Sequence, residues 1–180
     1  SINNARFYLS AGATLSAPAL TTLDNCGLQA SEGARFTTVA TALNVGQIRA
    51  GPGESNSLFL TAVGAGSTLD LSSVQSIDAS ADGGVPGSVT LDVHAYNSGT
   101  IKLPNLHTIT GSSNPSRIIS VSLDPTGTLS FPTLQATTGR VAFHIYQGGT
   151  NTLPPLQSAL GAQFSTDQNS TLNAPLLTAI

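Results

Sequence analysis

Apolar residues recur at every second place in seven short stretches of this chain: ARFYLSA (5–11), GLQAS (27–31), SLFLTAV (57–63), SVTLDVHAY (88–96), IISVSLD (118–124), RVAFHIY (140–146) and AQFSTD (162–167). A period of two marks a strand with one buried face. Between these stretches lies a second motif, clearest as GTIKLPNLHTITG (99–111). It recurs as ATLSAPALTTL from Ala13, STLDLSSVQSI from Ser67, GTLSFPTLQAT from Gly127, NTLPPLQSA from Asn151 and STLNAPLLTAI from Ser170, with a degenerate copy, ARFTTVATALN, from Ala34. No segment keeps a helical period over a helical length.

The motif alternates like a strand yet carries a proline, which a central strand refuses because its ring removes a ladder donor. The proline-equivalent positions are Pro18, Val39, Ser72, Pro104, Pro132, Pro154 and Pro175, spaced by 21 to 33 residues. The shortest spacing is the bare repeat. Longer ones carry insertions such as DASADGGVPG (78–87) and GSSNPS (111–116). Internal repetition at this period is the signature of a solenoid. Two short strands and a bend per repeat form one coil, and each strand pairs with its equivalents about 4.8 Å above and below. The proline then sits at a corner, where the ladder is interrupted anyway, and the glycine of the GT or GST pair serves another corner. Leu15, Leu69, Ile101, Leu129 and Leu172 are expected to form one inward ladder, and Leu20, Val74, Leu106, Leu134 and Leu156 another. Each such burial contributes roughly 1.5–3 kcal/mol.

The units from Gly99 to Gly111 and the other six copies resemble the tandem GTIxLPxLTxITG-type coils of secreted bacterial parallel β-helix repeat proteins, the adhesin, autotransporter-passenger and polysaccharide-lyase type of β-solenoid. The resemblance implies an all-β fold, a right-handed single-stranded parallel β-helix of about seven coils of 21 or more residues. It also implies an extracellular or cell-surface place and contact with glycans. LPNLHTIT (103–110) bears a weaker similarity to leucine-rich receptor L-domains, which the long second strand matches less well. Residues 1–180 read as a single solenoid domain and a segment of a longer solenoid. The chain opens on a long-type strand near Ala5 and stops on a motif-type strand at Ile180, with no capping helix, so end-to-end self-association or adjoining coils are expected.

Composition narrows the functional classes. Only 8% of residues are charged, Trp and Met are absent, and the mean hydropathy is +0.14, so Ser, Thr, Asn and Gly cover the surface. A net charge of −3 with six scattered cations offers no basic stripe for nucleic acid or an anionic membrane. Cys26, the only cysteine, reads as a small buried hydrophobe. No leader layout or membrane-spanning apolar run is present, and no motif calls for a cofactor or a metal. Asn169-Ser170-Thr171 matches a glycosylation acceptor that a chain rich in these residues produces by chance.

With Val93, Ala95, Phe143 and Ile145 inward, the outer face of the long strands receives Tyr8, Asp92, His94, Tyr96, Arg140, His144 and Tyr146. Aligning the corners places His94, Ser122 and His144 in one outward row and Tyr96, Asp124 and Tyr146 in the next. The two His-x-Tyr pairs are then about 9–10 Å apart. Aromatic rings, imidazoles and a carboxylate on a rigid surface suit a sugar chain, with CH faces for stacking and hydroxyls for hydrogen bonds. Tyr8, His94, Tyr96, Asp124, Arg140, His144 and Tyr146 are therefore the candidate glycan site of a non-enzymatic structural or adhesive module. Against it stands a plain solvated sheet face on which Tyr and His are β-favouring residues. A polysaccharide lyase or tailspike-like enzyme is the rival, using His144 or Tyr146 as base and Arg140 to neutralise a uronate. The outward row Thr14, Thr68, Thr100, Thr128 and Thr171, broken by Arg35, suggests ice binding as a third reading. Asp70 and Lys102 fall side by side in adjacent coils, and His107 faces solvent beyond its proline corner.

Overall fold

The computed structural model describes residues 1–46, 57–81, 90–146, 148–153 and 155–180. Pro154, Val89 and residues 82–87 of the first insertion lie outside them. No helix is present among the described residues, and every strand pair is parallel, so the chain is an all-β parallel β-helix.

Each coil has three strands, where the alternation predicted two and a bend. The long strands Arg6–Leu9, Gly27–Ser31, Leu58–Val63, Thr90–Tyr96, Ile118–Leu123, Val141–Ile145 and Gln163–Thr166 form one seven-stranded face. The motif strands form a second face: Thr14–Ala17, Arg35–Thr38, Thr68–Asp70, Thr100–Lys102 and Thr128–Ser130, then Thr150–Thr152 and Thr171–Asn173. The tail of each motif makes the third face: Ile2–Asn3, Thr22–Asp24, Ala42–Asn44, Ser76–Asp78, Thr108–Thr110, Ala136–Thr138 and Ser158–Leu160. Three-residue strands are too short for alternation to separate them from the preceding turn. The ends shift accordingly: Ile2–Asn3 precedes the first long strand, and Ala179 bridges Ser158 on the third face instead of continuing the motif strand.

The proline corner is a four-residue turn. Leu106 N–H donates to Leu103 O at 3.2 Å, and Leu134 to Phe131 and Leu177 to Ala174 repeat that bond. Pro104, Pro132 and Pro175 occupy the second place of the turn, where the fixed φ is wanted and the missing N–H is not. In the coil with Ser72, the Asp70 carboxylate accepts from the Ser72 N–H and hydroxyl, a side-chain substitute for proline. Leu20, Val74, Leu106, Leu134 and Leu156 close these corners from inside and are buried.

The glycine corner is a second four-residue turn, with Gly99 N–H donating to Tyr96 O and Gly127 N–H to Asp124 O. Glycine is required there by close approach: a Cβ on Gly99 or Gly127 would lie 2.2 Å from Ala62 O or Ala95 O of the preceding coil. The remaining corner is tighter, made by one left-handed residue such as Asn4, Asn25, Gly139 or Gly161. Residues 111–117 are an insertion at this same corner, and there buried Arg117 donates from Nη1 to Gly46 O (2.8 Å) and Ala81 O (3.2 Å).

Registry stacks like on like. Leu15, Leu69, Ile101 and Leu129 form the expected inward ladder, with Phe36 filling the degenerate coil, but Leu172, expected in the same ladder, pairs with Asn151 in a separate two-stranded sheet. On the long-strand face the inner row runs Phe7, Leu28, Leu60, Val93, Val121, Phe143, Phe164. Cys26 is fully buried, and burial raises its thiol pKa. Lys102 Nζ lies 3.4 Å from Asp70 Oδ2, the predicted cross-coil pair, too exposed to stabilise by more than about 1 kcal/mol.

Among the described residues the stack is interrupted once. The motif face splits between Thr128–Ser130 and Thr150–Thr152, whose Cα atoms lie mostly more than 8 Å apart. The same two coils stay paired on the other faces, through Ile119–Leu123 with Val141–Ile145 and Ala136–Thr138 with Ser158–Leu160. Asn151 occupies the inward place that Leu129 and Leu172 hold in the coils on either side. An amide there offers less apolar surface to close the gap, and burying it unpaired is costly.

Candidate functional site

Pairing across the long-strand face puts His94, Ser122, His144 and Ser165 in one outward row. One residue past the paired positions, Tyr96, Asp124, Tyr146 and Asp167 form the neighbouring row at the mouth of the glycine corner. The alternating strands aim these side chains outward while Val93, Val121 and Phe143 are buried beneath them.

The side chains close the 9–10 Å expected between the two His-x-Tyr pairs. His94 Nε2 lies 3.3 Å from Asp124 Oδ2, and the His94 ring stacks on Tyr146 with centroids 5.6 Å apart and planes 5° from parallel. Tyr96 packs on His94 at 4.6 Å, and His144 meets Tyr146 edge-on at 4.4 Å. His144 is held from both nitrogens: Nδ1 is 2.6 Å from Ser165 Oγ, and Nε2 is 3.1 Å from Asp167 Oδ1. The result is one continuous tier of four rings braced by two carboxylates.

Asp124 is further fixed by Thr126, whose N–H and hydroxyl donate to Oδ1 at 2.8 and 2.6 Å. Burial pushes this carboxyl upward, but the Thr126 bonds and the His94 contact outweigh it and leave the pKa below the ordinary value. Asp92, on the same face, shows the reverse balance: burial raises its pKa, and His94 only partly counters it.

Tyr8 and Arg140 stand apart from this cluster. Tyr8 lies three coil steps from His94, about 14 Å along the ladder. It packs instead on Phe59 at 5.3 Å, across the side-chain-free Gly27, and is 65% exposed. Arg140 precedes its strand by one residue and is six residues, roughly 20 Å of extended chain, from Tyr146. A uronate held at His144 and Tyr146 would therefore face Asp124 and Asp167 without the guanidinium the lyase mechanism requires. Ser165, His144 and Asp167 are in contact in that order, but acyl transfer also needs donors aimed at an oxyanion. The nearby Asp167 and Tyr146 N–H groups are held by Ile145 O and Leu123 O.

Asp167, Ser165 and Thr126 are absent from the candidates read from sequence. Asp167 could have been found, because it precedes Ser170 by the three residues that separate Asp124 from Gly127. Among the described residues no group of three or more His, Cys, Asp or Glu side chains is placed to hold a metal ion.

The threonine row exists, as Thr14, Arg35, Thr68, Thr100 and Thr128 and then Thr150 and Thr171, but Arg35 and the split in the sheet both break its flatness. His107 is exposed, its Nδ1 3.4 Å from Thr133 O.

A shallow hollow of about 250 Å³ lies between Tyr146 and the Asp124-Pro125-Thr126 turn. Asp124 and Pro125 also border a cleft of about 310 Å³ that runs into the split between the two motif strands. Comparison with protein-family models, with curated proteins and with solved structures found no match for this chain.

Proposed function

We propose that this β-helix is an extracellular structural or adhesive module that binds glycan on its long-strand face, through His94, Tyr96, Asp124, His144 and Tyr146. The observation that carries the reading is the tier of two tyrosines and two imidazoles fixed in place by Asp124 and Asp167. Side chains locked by their neighbours lose little entropy on binding, and the imidazoles, whose nitrogens hold Asp124, Ser165 and Asp167, leave the tyrosine hydroxyls and carboxylate oxygens to serve a hydroxyl-rich chain. The carboxylates favour uncharged sugars over uronates. Tyr8 and Arg140 lie outside the contact area.

A glycan array probed with wild type and with a Tyr96→Ala/Tyr146→Ala double variant tests this. Binding should fall at least tenfold in the variant while its far-ultraviolet spectrum is unchanged. Equal binding by the two proteins would remove the site.

A further inference from the structure

The split in the motif face sits beside the aromatic tier and differs from every other coil junction described. Elsewhere on this face the coils exchange regular bonds: Thr100 N–H to Ser67 O, Thr128 N–H to Gly99 O, Leu103 N–H to Ser130 O, and Thr171 N–H to Gly149 O. The corresponding bonds from Thr150 N–H to Gly127 O and from Phe131 N–H to Thr152 O are not made. Gly149 shows the same opening. A Cβ on it would meet first Tyr146 O of its own turn, at 3.1 Å, and not the carbonyl of the preceding coil.

The opening is a cleft of about 310 Å³, joined by one of about 170 Å³ that shares Leu123, Leu129 and Asn151 in its lining. The larger volume matches the lower end of small-molecule sites, about 300 Å³. Its floor is apolar, from Leu123 and Leu129. Its walls are two strand edges with unpaired donors and acceptors, and Asn151 adds an amide. The one charge on the lining is Asp124, at the mouth.

We propose that this cleft is a subsite for one uncharged sugar residue, the unit of a bound glycan that leaves the Tyr146–Asp124 surface and enters between the coils. The proposal rests on the glycan reading above and extends it to residues outside the tier. A sugar ring is amphipathic in the way the cleft is, with CH faces for the leucine floor and a rim of hydroxyls for the strand edges. A uronate would meet Asp124 on entry. An inserted peptide strand matches less well, because a strand needs roughly 10 Å of opening along its whole length. Here the two coils are pinched to normal pairing on both flanking faces.

The test follows amide hydrogen exchange of the folded chain with millimolar methyl glycosides of glucose, galactose, mannose and N-acetylglucosamine, with methyl glucuronide as the charged comparison. At least one neutral glycoside should slow exchange at Thr150 and Phe131 at least tenfold, and the glucuronide should not. An Asn151→Leu variant should weaken that glycoside at least tenfold while its melting temperature rises; Asn151→Ser, which removes the amide without filling the gap, should also weaken it. No protection by any neutral glycoside, equal protection by the glucuronide, protection only by a strand-forming Thr-Val peptide, or undiminished binding by both Asn151 variants would overturn the subsite. If array binding still falls in the tyrosine variant, the glycan reading survives that result. A blank array with protected amides would instead remove the tyrosine surface and leave the cleft.

Discussion

Alanine at two equivalent glycines in consecutive coils should be damaging at one and nearly neutral at the other. Gly127 and Gly149 each precede the threonine of their motif strand, yet only Gly127 is pressed against the coil before it. In Gly127→Ala the new Cβ would lie 2.2 Å from Ala95 O and 2.3 Å from Ala95 C, whereas ordinary contact begins near 3.4 Å. The obstacle is backbone and cannot rotate away, so the corner must move by about 1 Å against the Thr128 N–H to Gly99 O bond of 2.9 Å. Overpacking of this kind costs about 1–3 kcal/mol, and a ladder bond broken in a buried setting adds about 1–3 more. The expected loss is thus about 2–6 kcal/mol. In Gly149→Ala the nearest atom is 3.1 Å away and the split leaves room to relax. Reduced freedom of the unfolded chain offsets the crowding by about 0.4–1 kcal/mol, leaving a net change within about 1 kcal/mol. Urea titration followed by far-ultraviolet circular dichroism measures both. If Gly127→Ala unfolds within about 1 kcal/mol of wild type, or Gly149→Ala is equally damaging, then the close stacking, the split, or both are wrong.

Three further outcomes follow from the same stacking. Ile101→Ala, deep in the ladder between Leu69 and Leu129, should cost about 2–5 kcal/mol, and Leu129→Ala less, because its coil already faces the split; equal losses in urea titration would contradict this. Asp92→Asn should stabilise the fold near neutral pH and change nothing below the ordinary carboxylate range, since a raised folded pKa penalises the fold as pH climbs through it; an Asp124→Asn variant should show the reverse, losing stability that wild type holds above the ordinary carboxylate pKa and surrenders as pH falls through the lowered one. Melting temperatures across that pH range decide it. Cys26 should resist a thiol reagent until urea unfolds the chain, and rapid labelling of the native protein would refute its burial.

The sequence by itself determined the solenoid, because stacked coils force equivalent residues to be alike. The Leu15, Leu69, Ile101, Leu129 ladder, the proline turns and the row membership of His94, Ser122 and His144 all follow from counting residues between corners. Register in a parallel coil is fixed by the corners, so placement by row needs no coordinates. Three features needed the tertiary structure. The third strand of each coil was hidden, because TIT at 108–110 is too short to show a period apart from its turn. The ring tier was hidden too: backbone spacing puts His94 and Tyr146 in separate rows and two coils apart, and only side-chain torsions bring their rings to 5.6 Å and His94 to Asp124. Asn151 is visible in the sequence, but whether one amide in an apolar ladder is tolerated, bridged or splits the sheet depends on the packing of both neighbouring coils at once. That balance of desolvation against closure is settled in three dimensions.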